Sequence, residues 1–335
     1  MKLRVAIAGA GYIADIHARA INAQPETELA AVVEKFPEKM NAFAAQFGIE
    51  RRYKTVEELL EDGGVDALVI GTPNYLHAPQ TLAALRAGVH VMVEKPMAMN
   101  AAEAEEMLAT SEASESLLMV AHCWRFEREV VWLREQVVAG RLGEIVRTKG
   151  YGVHVAWGPS GWFTERRYAG GGALADMGIH AIDTARYLLG DPQPVSVYAR
   201  LGTHYLDADV DDTGLILVNW EGGASSYIES GWWQPYADGP EAATHLYGKR
   251  GFGQVFPTRL QALDEAGELY RLDPGYPYPR DPHCPQVMYD NQMAYFCDSI
   301  REGRKPVPGG MEGLVNMRII DAIYESSRGD QVIRL

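Results

Sequence analysis

Asp176, His180 and Asp183 follow the glycines Gly170-Gly171-Gly172 in the pattern Asp176-x-Gly178-x-His180-x-x-Asp183. At helical spacing the first two are four residues apart and the last two are three apart, so the three side chains share one face. Flanking carboxylates favour the charged form of an imidazole and can orient its ring, which suits it to take a proton near neutral pH. The plainer alternative is a histidine whose hydrogen bonds only fasten a helix to a sheet. Lys95 is the second reactive group, in Glu94-Lys95-Pro96 directly after the apolar run 90–93. An ammonium group emerging from a buried strand can donate to a substrate oxygen and stabilise charge there, with Pro96 holding the turn. A surface lysine ending a strand is its plainer alternative.

The elements that position these groups begin at Val5-Ala-Ile-Ala-Gly-Ala-Gly-Tyr-Ile-Ala14, a buried strand running through Gly9-x-Gly11-x-x-Ala14 into a helix. This is the layout of a dinucleotide-binding turn. Gly9 lets the chain reverse, Gly11 admits a pyrophosphate to the backbone, and Ala14 allows close helix packing. The first helical turn, with Tyr12 and Ile13, then offers its N–H groups to the phosphates. Glu34 ends the next apolar run, 29–33, about twenty residues on, where a carboxylate can accept both ribose hydroxyls. That favours NAD. Lys35 could neutralise a 2′-phosphate, so NADP is possible. Thr72-Pro73-Asn74 with His77, and Glu94 with Lys95, follow strands ending at 70 and 93, and are expected at the cofactor.

Strands at 4–8, 29–33, 67–70, 90–93 and 117–120 alternate with helices at 12–23, 37–47, 56–61 and 78–87, and Asn100 with Glu103 reads as a capping box opening another. Residues 1–122 are therefore expected to form a parallel α/β domain. Residues 123–335 change rhythm: a helix at 132–138, a long strand at 144–155, a helix at 173–189, and several strands with short turns between 195 and 272, which imply an antiparallel sheet. Two helices, near 287–302 and 313–328, close the chain. Helices on one face would leave the other face of that sheet open, and Trp220, Tyr227, Trp232 and Trp233 are expected to drive packing on a second copy, giving a homodimer or homotetramer.

The formal net charge of −14 disfavours nucleic acid and anionic membranes as partners. No apolar stretch approaches the roughly twenty residues of a membrane span. Three cysteines, Cys123, Cys284 and Cys297, lack disulfide or zinc spacing, and His283 beside Cys284 wants two further ligands, so no metal is expected. A cytoplasmic protein with reduced thiols is the expectation.

Gly9-x-Gly11-x-x-Ala14, Glu94-Lys95-Pro96 and Gly171-Gly172-Ala173-x-x-Asp176-x-Gly178-x-His180-x-x-Asp183 together resemble the Gfo/Idh/MocA oxidoreductases, the glucose-fructose oxidoreductase and inositol dehydrogenase-like family. The likeness extends to Ala322-Ile323-x-x-Ser326 after Gly313-Leu314. It implies an N-terminal Rossmann domain, a C-terminal α/β domain on a large, mostly antiparallel open sheet, and a nicotinamide over the cleft between them. It also implies Lys95, Asp176 and His180 as the catalytic set, with sugars, inositols or related polyols as substrates. Two positions depart from the commonest pattern: Glu34 stands where Asp is more usual, and Arg125-Phe126-Glu127 where Arg-Phe is often followed closely by Pro.

The expected reaction moves a hydride between NAD(P) and a secondary hydroxyl, with His180 taking the proton, Lys95 polarising the oxygen, and Asp176 orienting His180 or a neighbouring hydroxyl. Substrate contacts are expected from Lys95, Arg125, His154, Trp162, Asp176 and His180, with Trp157, Arg166, Arg167 and Tyr168 nearby. One alternative is a glycosidase that oxidises its substrate transiently to permit elimination. Another is a cofactor-binding regulator, against which the retained Lys95, Asp176 and His180 argue.

Overall fold

The computed structural model describes residues 2–235, 241–277 and 285–335. The alternating pattern at the start of the chain folds into six parallel strands: β1 (Leu3–Ala8), β2 (Thr27–Val33), β3 (Arg51–Tyr53), β4 (Ala67–Ile70), β5 (His90–Val93) and β6 (Leu118–Val120). Their order is β3-β2-β1-β4-β5-β6, so the winding reverses between β1 and β4. Ligands bind at such a switch point, beyond the carboxyl ends of the strands. Val5 to Ala8 and all of β4 are buried, as expected of strands with helices on both faces. Those helices are α1 (Tyr12–Ala23), α2 (Pro37–Phe47), α3 (Val56–Asp62), α4 (His77–Arg86) and α5 (Ala101–Ala113). The Asn100 side chain accepts from the Glu103 N–H at 3.0 Å, and Glu103 reaches back to the Met99 N–H at 3.1 Å, closing α5 as its sequence suggested. Strand β3 was not expected. Its Arg51-Arg52-Tyr53 has no apolar run, and only pairing with Ala31–Val33 of β2 makes it a strand.

The later part of the chain forms α6 (Arg128–Val138), β7 (Ile145–Val155), the short α7 (Arg166–Ala169), α8 (Ile179–Leu189), β8 (Pro194–Gly202), β9 (Thr213–Trp220), β10 (Ser225–Gln234), β11 (Ala242–Gly248), β12 (Gly251–Val255), β13 (Arg259–Leu263) and β14 (Leu269–Leu272). After them come α9 (Gln286–Glu302), α10 (Gly310–Gly329) and β15 (Ile333–Arg334). Nine strands make one sheet in the order β14-β13-β12-β11-β7-β10-β9-β8-β15. The β7–β10 pair is parallel, and the pairs on either side of it are antiparallel.

Burial alternates along this sheet with the two-residue period of a strand. In β9, Ile216, Val218 and Trp220 are buried, while Leu215 and Leu217 are 49% and 41% exposed. In β10, Ser226, Ile228, Ser230 and Trp232 are buried, and Tyr227 is exposed. The expected membership of the open face therefore needs correction. Trp220 and Trp232 have the phase of the covered face, Trp233 is half-buried past a register shift, and Tyr227 alone of the four is exposed.

Among the described residues, 2–123 with 285–314 form one compact unit, and 124–277 with 315–335 form the other. The second unit is thus not the continuous 123–335 that the sequence suggested. Helix α9 returns to the first unit because Met288, Tyr289, Met293 and Phe296 are apolar and buried, and Tyr289 meets His17 of α1 edge-on at 5.7 Å. Helix α10 starts in the first unit and ends in the second. No helix of the described residues is long and apolar enough to cross a membrane, and among them no three His, Cys, Asp or Glu side chains gather as a metal site. Cys123 and Cys297 are buried; burial pushes the Cys297 thiol up to about 11. His283 and Cys284 lie outside the described residues.

Candidate active site

The first unit brings most of its expected residues to one sheet edge. Gly9 has φ +102°, and a Cβ there would lie 2.6 Å from the Gly71 carbonyl oxygen, so no other residue fits the turn. A Cβ on Gly11 would meet nothing within 4 Å, and no side chain caps the α1 N-terminus that Gly11 begins. Open space at the N-terminus of a helix fits a dinucleotide pyrophosphate. Tyr12 is 80% exposed beside it, and Ile13 is half-buried. Glu34 is tied to the same turn, accepting from the Ala10 N–H at 3.2 Å and the Phe36 N–H at 3.0 Å. The Lys35 ammonium lies 5.0 Å from the centre of the Phe36 ring.

Two residues expected at the cofactor are buried with their polar atoms engaged by protein. His77 sets Nδ1 2.8 Å from the Pro96 carbonyl and Nε2 2.8 Å from the Thr72 carbonyl, so it braces the Thr72-Pro73-Asn74 loop against the Lys95-Pro96 turn. Burial holds its pKa low against the pull of those carbonyls and Glu94. Glu94 is also buried; its carboxylate meets His17 Nε2 at 2.7 Å and accepts from the Lys95 N–H at 3.1 Å. Burial pushes Glu94 up, but His17 and Lys95 outweigh it and leave the carboxyl below its usual value. The effect is to seat Lys95, half-buried, at the end of β5 on a rigid turn. His17 had no sequence signal, since its partner is 77 residues away.

In the second unit the expected α-helix over 173–189 opens instead with a π-helical turn, Leu174–Gly178, before α8. Backbone contact makes room for nothing bulkier: a Cβ on Gly152 of β7 would lie 2.8 Å from the Met177 carbonyl oxygen. Such widened turns recur at functional sites. Asp176 sits in this turn and accepts from the Trp232 indole N–H at 3.0 Å, so its register relative to His180 differs from plain helical spacing. Asp211 anchors the start of the turn, accepting from the Gly172 and Leu174 N–H groups at 3.0 and 2.8 Å and from the Tyr324 hydroxyl at 2.6 Å. His180 is buried on the first turn of α8.

Asp183, one turn beyond His180, is engaged by two other side chains. Its carboxylate takes Arg125 Nε at 2.9 Å and Nη2 at 2.8 Å, and the Asn316 amide at 2.8 Å. Arg125 also reaches Asp191 at 2.7 Å. Arg125, expected at the substrate, is therefore an internal clamp; burial opposes its charge, and the two aspartates more than restore it. His154 is buried against Trp157, ring centroids 3.5 Å apart, with Glu241 accepting from the Trp157 indole at 2.7 Å. Trp162 stacks on Phe163 at 3.8 Å. Arg166 donates to Asp209, and Arg167 pairs with Glu165 beside Tyr168.

Residues 3–122 match a family described as oxidoreductases with an NAD-binding Rossmann fold, and residues 130–252 match the GFO/IDH/MocA C-terminal domain. The chain belongs to the GFO/IDH/MocA oxidoreductase family. Among its relatives, the D-glucoside 3-dehydrogenase of Escherichia coli K12 is 29% identical across 97% of this chain and 95% of that protein. The inositol 2-dehydrogenase of Rhizobium meliloti 1021 is 27% identical across 97% of each. The crystal structure of an aldose-aldose oxidoreductase from Caulobacter crescentus, complexed with glycerol, is 30% identical over the full length of both chains, with a TM-score of 0.85. As a GFO/IDH/MocA oxidoreductase the chain has the expected architecture, a Rossmann unit and a unit on a large, mostly antiparallel sheet.

Proposed function

We propose that this oxidoreductase moves a hydride between NAD and a secondary hydroxyl of a sugar, inositol or related polyol. The observation that carries the reading is the widened turn that seats Asp176 and the buried His180 on consecutive turns. The named reactions of the two relatives, at position 3 of a glucoside and position 2 of an inositol, are oxidations of ring carbons bearing secondary hydroxyls. NAD, when bound, supplies the hydride acceptor. Gly9, Gly11, Tyr12 and Ile13 would hold its phosphates, Glu34 would accept its ribose hydroxyls, and the Thr72-Pro73-Asn74 loop and the Lys95 turn, braced by His77 and Glu94, would hold its nicotinamide end. His180 takes the hydroxyl proton, Lys95 donates to the same oxygen as it becomes a carbonyl, and Asp176 orients His180 or an adjacent hydroxyl. His154 and Trp162 contact the substrate ring. The acidic, cysteine-poor composition supports a cytoplasmic enzyme.

Mixing the protein with NAD and a panel of sugars, inositols and sugar acids is expected to yield reduced nicotinamide with a subset of them, more readily than NADP does. Glu34→Ala is expected to weaken NAD binding and leave the fold intact. Tighter binding of NADP would overturn the Glu34 assignment, and free sugar released from a glycoside with no net nicotinamide reduction would replace the dehydrogenase by a glycosidase.

A homodimer or homotetramer is part of the same reading. Leu215, Leu217, Tyr227 and Tyr198 are exposed on neighbouring strands β9, β10 and β8, and a contiguous apolar sheet face of this kind marks a surface for another subunit. Light scattering at micromolar concentration is expected to give a multiple of the 37.0 kDa chain mass. A strictly monomeric mass would remove the proposal.

A further inference from the structure

The imidazole of His180 lies against the indole of Trp124, with ring centroids 4.9 Å apart and planes 19° from parallel. Trp124 is buried and is itself held. Phe256 meets it edge-on at 5.7 Å and 84°, and the next residue, Arg125, is clamped to Asp183 one turn beyond His180. Phe256 has φ +62°, a left-handed backbone that a bulky residue keeps only where its surroundings impose it. Anchors lie on both sides of it: the Gln254 amide donates to the Pro257 carbonyl at 2.8 Å, and the Thr258 hydroxyl donates to Glu129. The face of an indole is electronegative, and a cation within about 6 Å of its centre is attracted to it. A neutral imidazole gains little from that field. The stack therefore strengthens when the ring takes up a proton.

We propose that Trp124 is a positioning residue for His180, fixing the plane of the imidazole and stabilising the charge it acquires on accepting the substrate proton. The proposal rests on His180 being the proton acceptor. Charged and titratable groups on the surrounding elements are Asp176, Asp183 and Arg186 on the same helical segment, Arg125 and the buried Glu127 beside Trp124, and Arg128, Glu129, Arg134 and Glu135 on α6. Strand β7 carries Arg147, Lys149 and His154, β10 carries Glu229, and β11 carries His245. Several already have partners: Asp183 holds Arg125, Glu129 accepts from Thr258, and Arg134 donates to the Leu188 carbonyl. Trp124 adds stabilisation without adding a formal charge.

The test is an NMR titration of the histidine rings in wild type, Trp124→Phe and Trp124→Leu, with the His180 signal identified by its loss in His180→Gln, alongside the pH–rate profile of each protein. In Trp124→Leu the His180 midpoint is expected to fall by about half to one and a half pH units, and in Trp124→Phe by less, because Trp is the strongest π partner. Water admitted in place of the indole would move the midpoint upward. The downward sign therefore identifies the π contact, and an unchanged or raised midpoint overturns the proposal. Should the Leu variant fail to fold, the sign in the Phe variant decides. Because the titration needs no turnover, absence of the shift marks failure of the stack. A downward shift with an unmoved pH–rate limb marks failure of the proton-acceptor reading instead, and either result overturns the proposal.

Discussion

His180→Ala is expected to turn over roughly 100- to 10,000-fold more slowly than wild type, the usual contribution of a positioned general base. Cofactor affinity should stay near the wild-type value, since the residues assigned to NAD lie in the first unit and His180 in the second. The pH profile of oxidation should rise through a group in wild type and lose that limb in the variant. A histidine that only braced α8 would behave differently: the melting temperature would fall, and turnover per folded molecule would hardly change. Thermal melts and single-turnover rates on one preparation separate the two cases. A stable, fast His180→Ala enzyme would refute the mechanism.

Lys95→Ala is expected to cost about 100- to 1,000-fold in turnover, comparable with loss of a donor to a developing charge. The seat of Lys95 is built from groups the substitution leaves in place, namely the Glu94–His17 contact at 2.7 Å and the His77 brace between the Thr72 and Pro96 carbonyls. The fold should therefore survive with little change in melting temperature. His180 remains in this variant, so the rising limb of the pH profile should persist at a lowered plateau. Loss of the limb together with the rate would show that Lys95 sets the protonation of the site instead of polarising the substrate oxygen. Wild-type turnover would remove Lys95 from the reaction.

The parallel sheet and the helices around it were legible because each buried strand is a short apolar run bounded by turn residues, and the glycine turn and Asn100 carry local geometry. The candidate site was legible as a set of residues but less so as a set of contacts. Asp183 shares a helical spacing with His180, yet it is drawn to Arg125, 58 residues earlier in the chain. His77 and Glu94 stand at the expected sheet edge, but burial turns them into supports for Lys95. Trp220 and Trp232 are large enough to suit a subunit interface, but the two-residue phase of β9 and β10 puts both on the covered face. The π-turn at Leu174–Gly178 had no signature, because it depends on how closely β7 approaches.

The return of α9 to the first unit has a consequence for how the chain is made. Gln286 donates to the Ile16 carbonyl at 3.1 Å across 270 residues of sequence, Gln24 donates to the Asp290 carbonyl at 3.1 Å, and Tyr289 packs on His17. As the polypeptide leaves the ribosome, the parallel sheet emerges before the second sheet, but the helix that covers α1 is synthesised only after strands β7 to β14. The nucleotide-binding unit therefore waits, with an apolar flank uncovered, until those strands have been synthesised. Its completion is a late, long-range event that reports that the intervening unit has been made.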